Sequence, residues 1–403
     1  MMADYTALLP RAPEPEQLGD LPALPPFAPE SVAFVTALSA ALMRSASARA
    51  WPELTALGYW MRAANLARIE AGMRQRNGDA LLVPRGTALH IAPSNVDTIF
   101  VYSWFLSLLA GNRNIVRLSG KSSVQADMLV GAIASLLADP AHEAIARRTL
   151  LVRYAPDDSI TARLSAVCDV RLIWGGDSTV AQVRRVALPG TATEVAFANK
   201  YSLALIDAAN WLSADDACRA RWVDGFFNDA YWFDQMACSS PRLVLWVGTR
   251  EMADRAAADF WPRLEARLAQ RDQRFGDADY VNKRVSADVL AMGHAVRVAH
   301  GQNNDLVRVW LDEPALHIEQ HCGAGLFFES HLPSLDDLRR LLTRTVQTVS
   351  YAGFDPQDMR EFVAGMPPAG IDRIVPFGRA LDFSSVWDGF DLFRVFMREV
   401  TVD

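Results

Sequence analysis

The chain is poor in cysteine, in clustered positive charge and in long apolar runs, and each shortage removes a class of protein. Four cysteines, Cys168, Cys218, Cys238 and Cys322, in 403 residues do not make a disulfide framework, and none forms a CxxC pair. That usage suggests a reducing cytoplasm. The formal charge of −7, with no dense Lys/Arg run, gives no electrostatic footprint for nucleic acid, so an anionic ligand would have to be met by local basic groups. The longest apolar run, Thr98 to Ala110, is interrupted by Tyr102 and Ser103 and falls short of the roughly 18 residues a spanning helix needs. No membrane span is expected, and this run reads as a core helix. Met1 to Pro10 has neither a basic nor an apolar region of secretory type. No internal repeat of solenoid length is visible.

What is present is ordinary for a globular protein: 51% hydrophobic and 22% charged residues, in a length that suits two or three domains. Seven of the 21 prolines fall between Pro10 and Pro29, where missing amide donors and fixed φ angles predict an extended arm. Residues 30–47 and 51–76 then show helical spacing, as in Leu54, Leu57, Trp60, Met61 and Leu66. From Thr87 onward, strand-like runs (87–92, 114–118, 149–154, 169–174) alternate with helical ones (98–111, 122–138, 157–167). This alternation predicts a mainly parallel sheet with ligands beyond the carboxyl ends of its strands. A second unit begins near Asn199, with strands at 201–206, 242–247 and near 304–310, and helices at 213–229 and 250–270.

Four stretches carry candidate chemistry. In Phe233-Asp234-Gln235-Met236-Ala237-Cys238-Ser239-Ser240-Pro241 a cysteine among small residues precedes the apolar run 242–247. Such a thiol suits a nucleophile if it is reachable and activated, and it suits a buried structural cysteine equally well. Asn95, just before the first helix of the alternating region, is either a neutral amide donor or a helix N-cap. Gly175 and Gly176, after the strand ending at Ile173, either let backbone approach a phosphate or ring, or make a tight turn. Arg117-Leu118-Ser119-Gly120-Lys121-Ser122-Ser123 gathers cations and hydroxyls without an acid, a setting for a phosphate or for a solvated helix start capped by Ser122. It is not a Walker loop, since the upstream glycine spacing is missing. His317 and His321 would share a face only on a helix and have no clear third ligand, so strand and loop are expected there and no metal site.

Together these pieces carry a family likeness. His90-Ile91-Ala92-Pro93-Ser94-Asn95-Val96, Leu109-Ala110-Gly111-Asn112, Phe233-Asp234-Gln235 with Ala237-Cys238-Ser239-Ser240-Pro241, Arg373-Ile374-Val375-Pro376, Ala380-Leu381-Asp382-Phe383 and Trp387-Asp388-Gly389 resemble the LuxC-type acyl-CoA reductases of the aldehyde dehydrogenase superfamily. The resemblance covers about residues 80 to 400. It implies an α/β, aldehyde-dehydrogenase-like fold: an N-terminal arm and helices over 1–80, a Rossmann-type NADP-binding domain over 81–198 completed by 353–403, and an α/β catalytic domain over 199–352. Cys238 would be the acyl-accepting nucleophile and Asn95 the oxyanion-hole amide. Arg117, Ser119 and Lys121 would meet the adenosine ribose and its 2′-phosphate, with Gly120 where NAD-preferring relatives carry a glutamate, so NADPH is favoured. Gly175, Gly176 and Ser178 would lie at the pyrophosphate or nicotinamide, and Glu319 at the nicotinamide ribose. Acid-forming relatives carry a glutamate four residues before the lysine that matches Lys200. Here that position is Ala196, with Glu194 two residues off as a weaker candidate for a base.

The implied activity is NADPH-dependent reduction of an acyl thioester to the aldehyde through an acyl-cysteine, by a cytoplasmic enzyme. A transacylase or scaffold subunit of a multienzyme reductase is the alternative. The expected partners are an acyl-CoA, acyl-carrier or acyl-protein donor and further copies of the same chain.

Overall fold

The computed structural model describes residues 5–93, 96–121, 123–271, 274–302, 304–366 and 370–402. The chain divides into two compact units, one running from the N-terminus to Asn199 and resuming at Phe383, the other spanning Lys200–Asp382.

The first unit is built on strands β1 (Thr6–Ala7), β3 (Thr87–Ile91), β4 (Arg113–Leu118), β5 (Thr149–Arg153), β6 (Val170–Trp174) and β7 (Thr193–Phe197); β2 (Leu81–Pro84) stands apart. Their order is β1-β5-β4-β3-β6-β7, parallel except for β1 at the edge. All five residues of β3 and of β6 are buried, as the near-continuous apolar runs of a sheet covered on both faces demand. The chain leaves β3 toward β4 and β5, then returns to its other side for β6 and β7. A crevice therefore opens beyond the carboxyl ends of β3, β4 and β6, at the reversal of strand order. Helix Ile99–Leu109, buried along its whole length, packs under the sheet. Helix Val124–Leu137 is capped by Ser123, whose hydroxyl accepts from the Ala126 amide at 3.1 Å. The cap is thus Ser123; Ser122, the cap expected from sequence, lies outside the described residues.

A relay of hydrogen bonds pins this crevice from beneath. His90 on β3 is fully buried, with Nε2 3.1 Å from Asn114 Oδ1 and Nδ1 2.7 Å from Ser103 Oγ. Asn114 Oδ1 can only accept, so Nε2 carries the proton and Nδ1 accepts from Ser103. Trp174 Nε1 in turn donates to Ser103 Oγ at 3.0 Å. Burial pushes the His90 imidazole down to about 4, so it stays neutral as this relay requires.

The proline-rich arm departs from expectation. It contains a one-turn helix, Pro15–Leu18, and Pro29 opens the long helix Pro29–Arg44. Both prolines stand in the first turn, where the missing N–H costs nothing. The arm is no loose terminus either. Leu24 N donates to Gly111 O at 3.0 Å, Phe27 N to Leu109 O at 2.6 Å, and Arg113 Nη1 to the carbonyls of Gly19 and Leu21 at 3.0 and 2.6 Å. Gly111 has φ +92°, and a Cβ there would lie 2.0 Å from Leu24 O.

The second unit holds β8 (Tyr201–Asp207), β9 (Pro241–Val247), β10 (Val296–His300), β11 (Val307–Leu311), β12 (Leu326–Leu332), β13 (Val346–Ala352) and β14 (Arg373–Pro376). They order β10-β11-β12-β9-β8-β13-β14, with only β10 antiparallel. Along β9 the side chains alternate: Leu243, Leu245 and Val247 enter the core on one face, Val244 and Trp246 the aromatic core on the other. Helices Asp216–Tyr231 and Arg250–Leu268 cover that second face. Glu329 is buried within it, accepting from Trp246 Nε1 at 3.2 Å, Trp261 Nε1 at 2.8 Å and Arg308 Nη1 at 3.3 Å. Beyond β14 the chain returns to the first unit. There β15 (Val386–Trp387) and β16 (Phe390–Asp391) form a hairpin and β17 (Met397–Val400) pairs antiparallel with β2. Among the described residues no single helix is long and apolar enough to cross a membrane.

Gly111→Ala should therefore release the arm. Its left-handed φ alone costs about 1–3 kcal/mol for a side chain, before the clash with Leu24 is counted. A lowered thermal midpoint and faster proteolysis between residues 10 and 29 are expected; a variant as protease-resistant as the parent would contradict the account.

Candidate active site

Two sets of functional side chains emerge, one in each unit. In the first unit the loops after β3, β4, β5 and β6 line a cleft of about 590 Å³ at the switch of strand order, bounded by Pro93, Arg117, Lys121, Tyr154, Gly176 and Thr179 among others. Of the residues singled out from sequence, Arg117, Ser119, Lys121, Gly175 and Gly176 all line it. Ser178 does not: it is exposed on helix Asp177–Arg184, while Thr179 and Gln182 face the cleft instead. Asn95 lies outside the described residues.

Arg117 Nη2 donates to Tyr154 O at 3.2 Å and its guanidinium stands 5.1 Å from the Tyr154 ring centroid. Burial pulls its pKa below the usual arginine range, and among the described residues neither Arg117 nor Lys121 has a carboxylate partner. Asp157, also in the lining, is occupied as the cap of helix Asp158–Ala166, accepting from the Ser159 and Ile160 amides at 2.8 and 3.1 Å. Gly176 caps helix Asp177–Arg184 with extended backbone, and a Cβ there would come within 3.2 Å of Asn199 Oδ1. The first-turn amides of that helix are the groups such a terminus offers to an anion. Among the described residues the cleft thus combines two cations without a carboxylate partner and the start of a helix, groups suited to an anion.

In the second unit Cys238 is half-buried in the turn that leads into β9. The turn is held by Gln235, fully buried at φ +63° beside Asp234 at φ +50°. Gln235 Nε2 donates to the carbonyls of Pro241 and Leu326 at 2.9 and 2.8 Å, and its Oε1 accepts from Gly325 N at 3.0 Å. Arg271 pairs with Asp234, and Ser202 Oγ donates to Cys238 O at 2.6 Å. The turn and the carbonyl of the candidate nucleophile are thereby oriented.

Sequence reasoning missed two residues at this thiol. Gln347 on β13 is buried and its Nε2 donates to Cys238 Sγ at 3.3 Å. Arg242, the second residue of β9, interacts electrostatically with Cys238 and lies 5.8 Å from the Tyr201 ring centroid. The burial of strand Val346–Ala352 is what marks Gln347, since a polar side chain in a fully buried strand needs a partner.

The remaining candidates have structural or separate places. Glu194 on β7 accepts from Arg171 Nε at 2.8 Å and Arg184 Nε at 2.9 Å, so the weaker candidate for a base is consumed by two arginines. Ala196 lies two residues further along the same strand. Glu319 is exposed in the short 3-10 turn Ile318–Gln320 of the second unit. His321 Nδ1 accepts from Gly323 N at 3.1 Å, which leaves Nε2–H to donate to Leu326 O at 2.8 Å. Both ring nitrogens thus serve their own loop, and no group of three or more potential metal-ligating side chains occurs among the described residues.

Solved structures identify the architecture. The chain is similar to lactaldehyde dehydrogenase (TM-score 0.66, 11% identity, 99% of this chain and 95% of that one). It is likewise similar to the methylmalonate-semialdehyde dehydrogenase of Oceanimonas doudoroffii (0.67, 11%, 96% and 88%) and to an NAD-dependent benzaldehyde dehydrogenase of Corynebacterium glutamicum (0.61, 12%, 93% and 84%). At these identities the likeness defines the aldehyde dehydrogenase fold. Sequence comparison with curated proteins gives no match. Residues 72–398 match the acyl-CoA reductase (LuxC) family, and the chain belongs to that family of aldehyde-related oxidoreductases.

The His321 ring predicts a pH response. Burial, then the nearby Arg242 charge, push it down to about 3, whereas in the unfolded chain it titrates near 6.5. Between those values the unfolded state binds the extra proton, so stability falls as pH drops below about 6.5 and goes on falling toward 3, by up to about 1.4 kcal/mol per pH unit per ring. The His321→Asn variant should lose urea resistance less steeply than the parent between pH 6 and 4; parallel slopes would remove His321 from the explanation.

Proposed function

We propose that this protein reduces an acyl thioester to the corresponding aldehyde through an acyl-cysteine at Cys238, with NADPH as the reductant. The observation that carries the reading is the nucleophile's setting. Cys238 is reachable, accepts a hydrogen bond from a buried amide, and belongs to a chain whose expected water-activating position is Ala196 and whose weaker candidate for a base, Glu194, is bound by Arg171 and Arg184. An acyl-cysteine in such a chain has no activated water to fear.

The Cys238 thiolate attacks the thioester carbonyl, forming a carbon–sulfur bond while the carbonyl electrons move to oxygen. The Cys238 backbone N–H and, by family resemblance, the Asn95 side-chain amide donate to that oxyanion. Collapse expels the donor's thiolate and leaves one thioester in place of another. When bound, NADPH supplies the hydride that reduces the acyl carbon. Cys238 then departs as thiolate and the aldehyde is free. Arg117 and Lys121 support the phosphorylated cofactor, since a 2′-phosphate would offset the cost of holding the Arg117 cation partly out of water. Gly175 and Gly176 would take the pyrophosphate at the helix start, and Glu319 the nicotinamide ribose. The domain assignment follows: the first unit binds the nucleotide and the second carries the nucleophile.

Cys238→Ala should abolish aldehyde formation from acyl-CoA and NADPH while leaving nucleotide binding intact. A covalent acyl adduct still found on that variant would refute the assignment; an adduct on the parent protein without NADPH consumption would favour a transacylase. Removing an oxyanion donor typically costs about 10²–10³-fold in turnover, so Asn95→Ala should fall in that range. Arg117→Ala should raise KM for NADPH at least about tenfold more than KM for NADH, as loss of a charge-assisted phosphate contact implies. Equal effects on both would remove the 2′-phosphate role.

A further inference from the structure

Two irregularities of sheet register meet at the candidate nucleophile. Between β13 and β8, Val346 pairs with Tyr201 but Val349 with Leu203, so three steps along β13 span two along β8. Between β8 and β9, Ser202 pairs with Pro241 and Leu203 with Leu243, so one step on β8 spans two on β9. Each is a one-residue bulge, a device that re-aims a side chain and recurs beside active sites. The first bulge contains Gln347 and Thr348, and the second contains Arg242. Both bulged strands flank β8, whose Ser202 hydroxyl accepts from Thr348 N at 3.2 Å while donating to Cys238 O at 2.6 Å. The extra residues bring an amide donor to Cys238 Sγ and a guanidinium into its field.

We propose that Gln347 holds Cys238 as a thiolate by donating its Nε2–H to the sulfur, with Arg242 as supporting cation, so that the nucleophile is activated without a general base. The inference deepens the assignment of Cys238 as the acyl acceptor and rests on it. The chemistry favours it over a base for a stated reason. A donor stabilises the anionic sulfur and not the thiol, so the thiolate that departs at the end of one turnover is held ready for the next without a base. Three described neighbours are engaged otherwise. Ser202 is engaged with the Cys238 carbonyl, His321 uses both ring nitrogens on its own loop, and Tyr201 is fully buried as the neutral phenol. The Gln347 amide is oriented by Thr348, whose hydroxyl lies 3.5 Å from Oε1 and so leaves the NH₂ group facing sulfur.

The test is the pH dependence of Cys238 alkylation by iodoacetamide, read peptide by peptide so that Cys168, Cys218 and Cys322 are scored separately. Parent, Gln347→Leu and Gln347→Asn proteins are compared, the last keeping an amide but withdrawing it by one methylene. Loss of a hydrogen bond to a charged group should move the Cys238 alkylation midpoint up by about one to two pH units and slow reaction at pH 7 roughly 10–100-fold. Above the midpoint both variants should react faster than the parent, because a more basic thiolate is the better nucleophile. A merely structural effect would slow or speed alkylation at every pH and would not produce that crossover. Unchanged midpoints in both folded variants would overturn the proposal. Because alkylation needs neither thioester nor NADPH, a failure of the reductase reading appears in the aldehyde assay and a failure of this one in the alkylation profile.

Discussion

The site in the second unit depends on one side chain that never touches a substrate. Gln235 is buried in a left-handed backbone conformation, and its amide makes three hydrogen bonds to main-chain groups of two separate segments. A non-glycine residue at φ +63° next to another at +50° is strained, and such strain persists only where the surroundings over-determine it. Here the surroundings are Pro241 on one side and the Gly325–Leu326 entrance to β12 on the other. Loss of the Gln235 amide would orphan the Gly325 N–H and remove a donor from the Pro241 and Leu326 carbonyls, the latter still held by His321 Nε2; an orphaned buried group costs on the order of 1–3 kcal/mol. The Cys238 turn, the β9 register and the His321 loop would be freed together.

That dependence explains why two glycines accompany it. Gly323 and Gly325 have φ +77° and +79°, and a Cβ on Gly325 would stand 2.1 Å from Asp305 O. The loop before β12 must come this close for its amide to reach Gln235. Lys283 reinforces the same region from helix Asp277–Gly293, fully buried and donating to the carbonyls of Asn304 and Ala324. Burial brings its pKa down to about 8, and two main-chain acceptors keep the remaining charge tolerable.

Much of the first unit was legible because short strand-like runs alternate with helical ones from Thr87 onward. The cleft residues Arg117, Ser119, Lys121, Gly175 and Gly176 followed from the rule that parallel sheets bind beyond their carboxyl ends. The arm misled because proline forbids a helix interior but not a helix start, and Pro15 and Pro29 both stand at starts. In the second unit, β13 hides behind Gln347, Thr348 and Ser350, buried polar residues that break the apolar signature. Gln347 and Arg242 could not be placed at Cys238 from sequence, since a bulge is a property of pairing between strands and leaves no mark within either one. Ser178 lies outside the cleft lining for a related reason: which face of a short helix meets a cleft depends on its exact phase, and the neighbouring Thr179 lines it.

The pairing of β2 with β17 joins Leu81–Pro84 to Met397–Val400. The second unit is thus an insertion in a domain whose two pieces are separated by the length of Lys200–Asp382. During synthesis the inserted unit can be completed while its host still lacks β15, β16 and β17, so the β2–β17 ladder closes only after the insertion has been made. Loop-closure entropy grows slowly with length, so closing the ladder across so long an insertion costs little more than closing it across a shorter one. A variant without Met397–Val400 would then lose the ladder that closes the first unit while every strand of the second stayed in place.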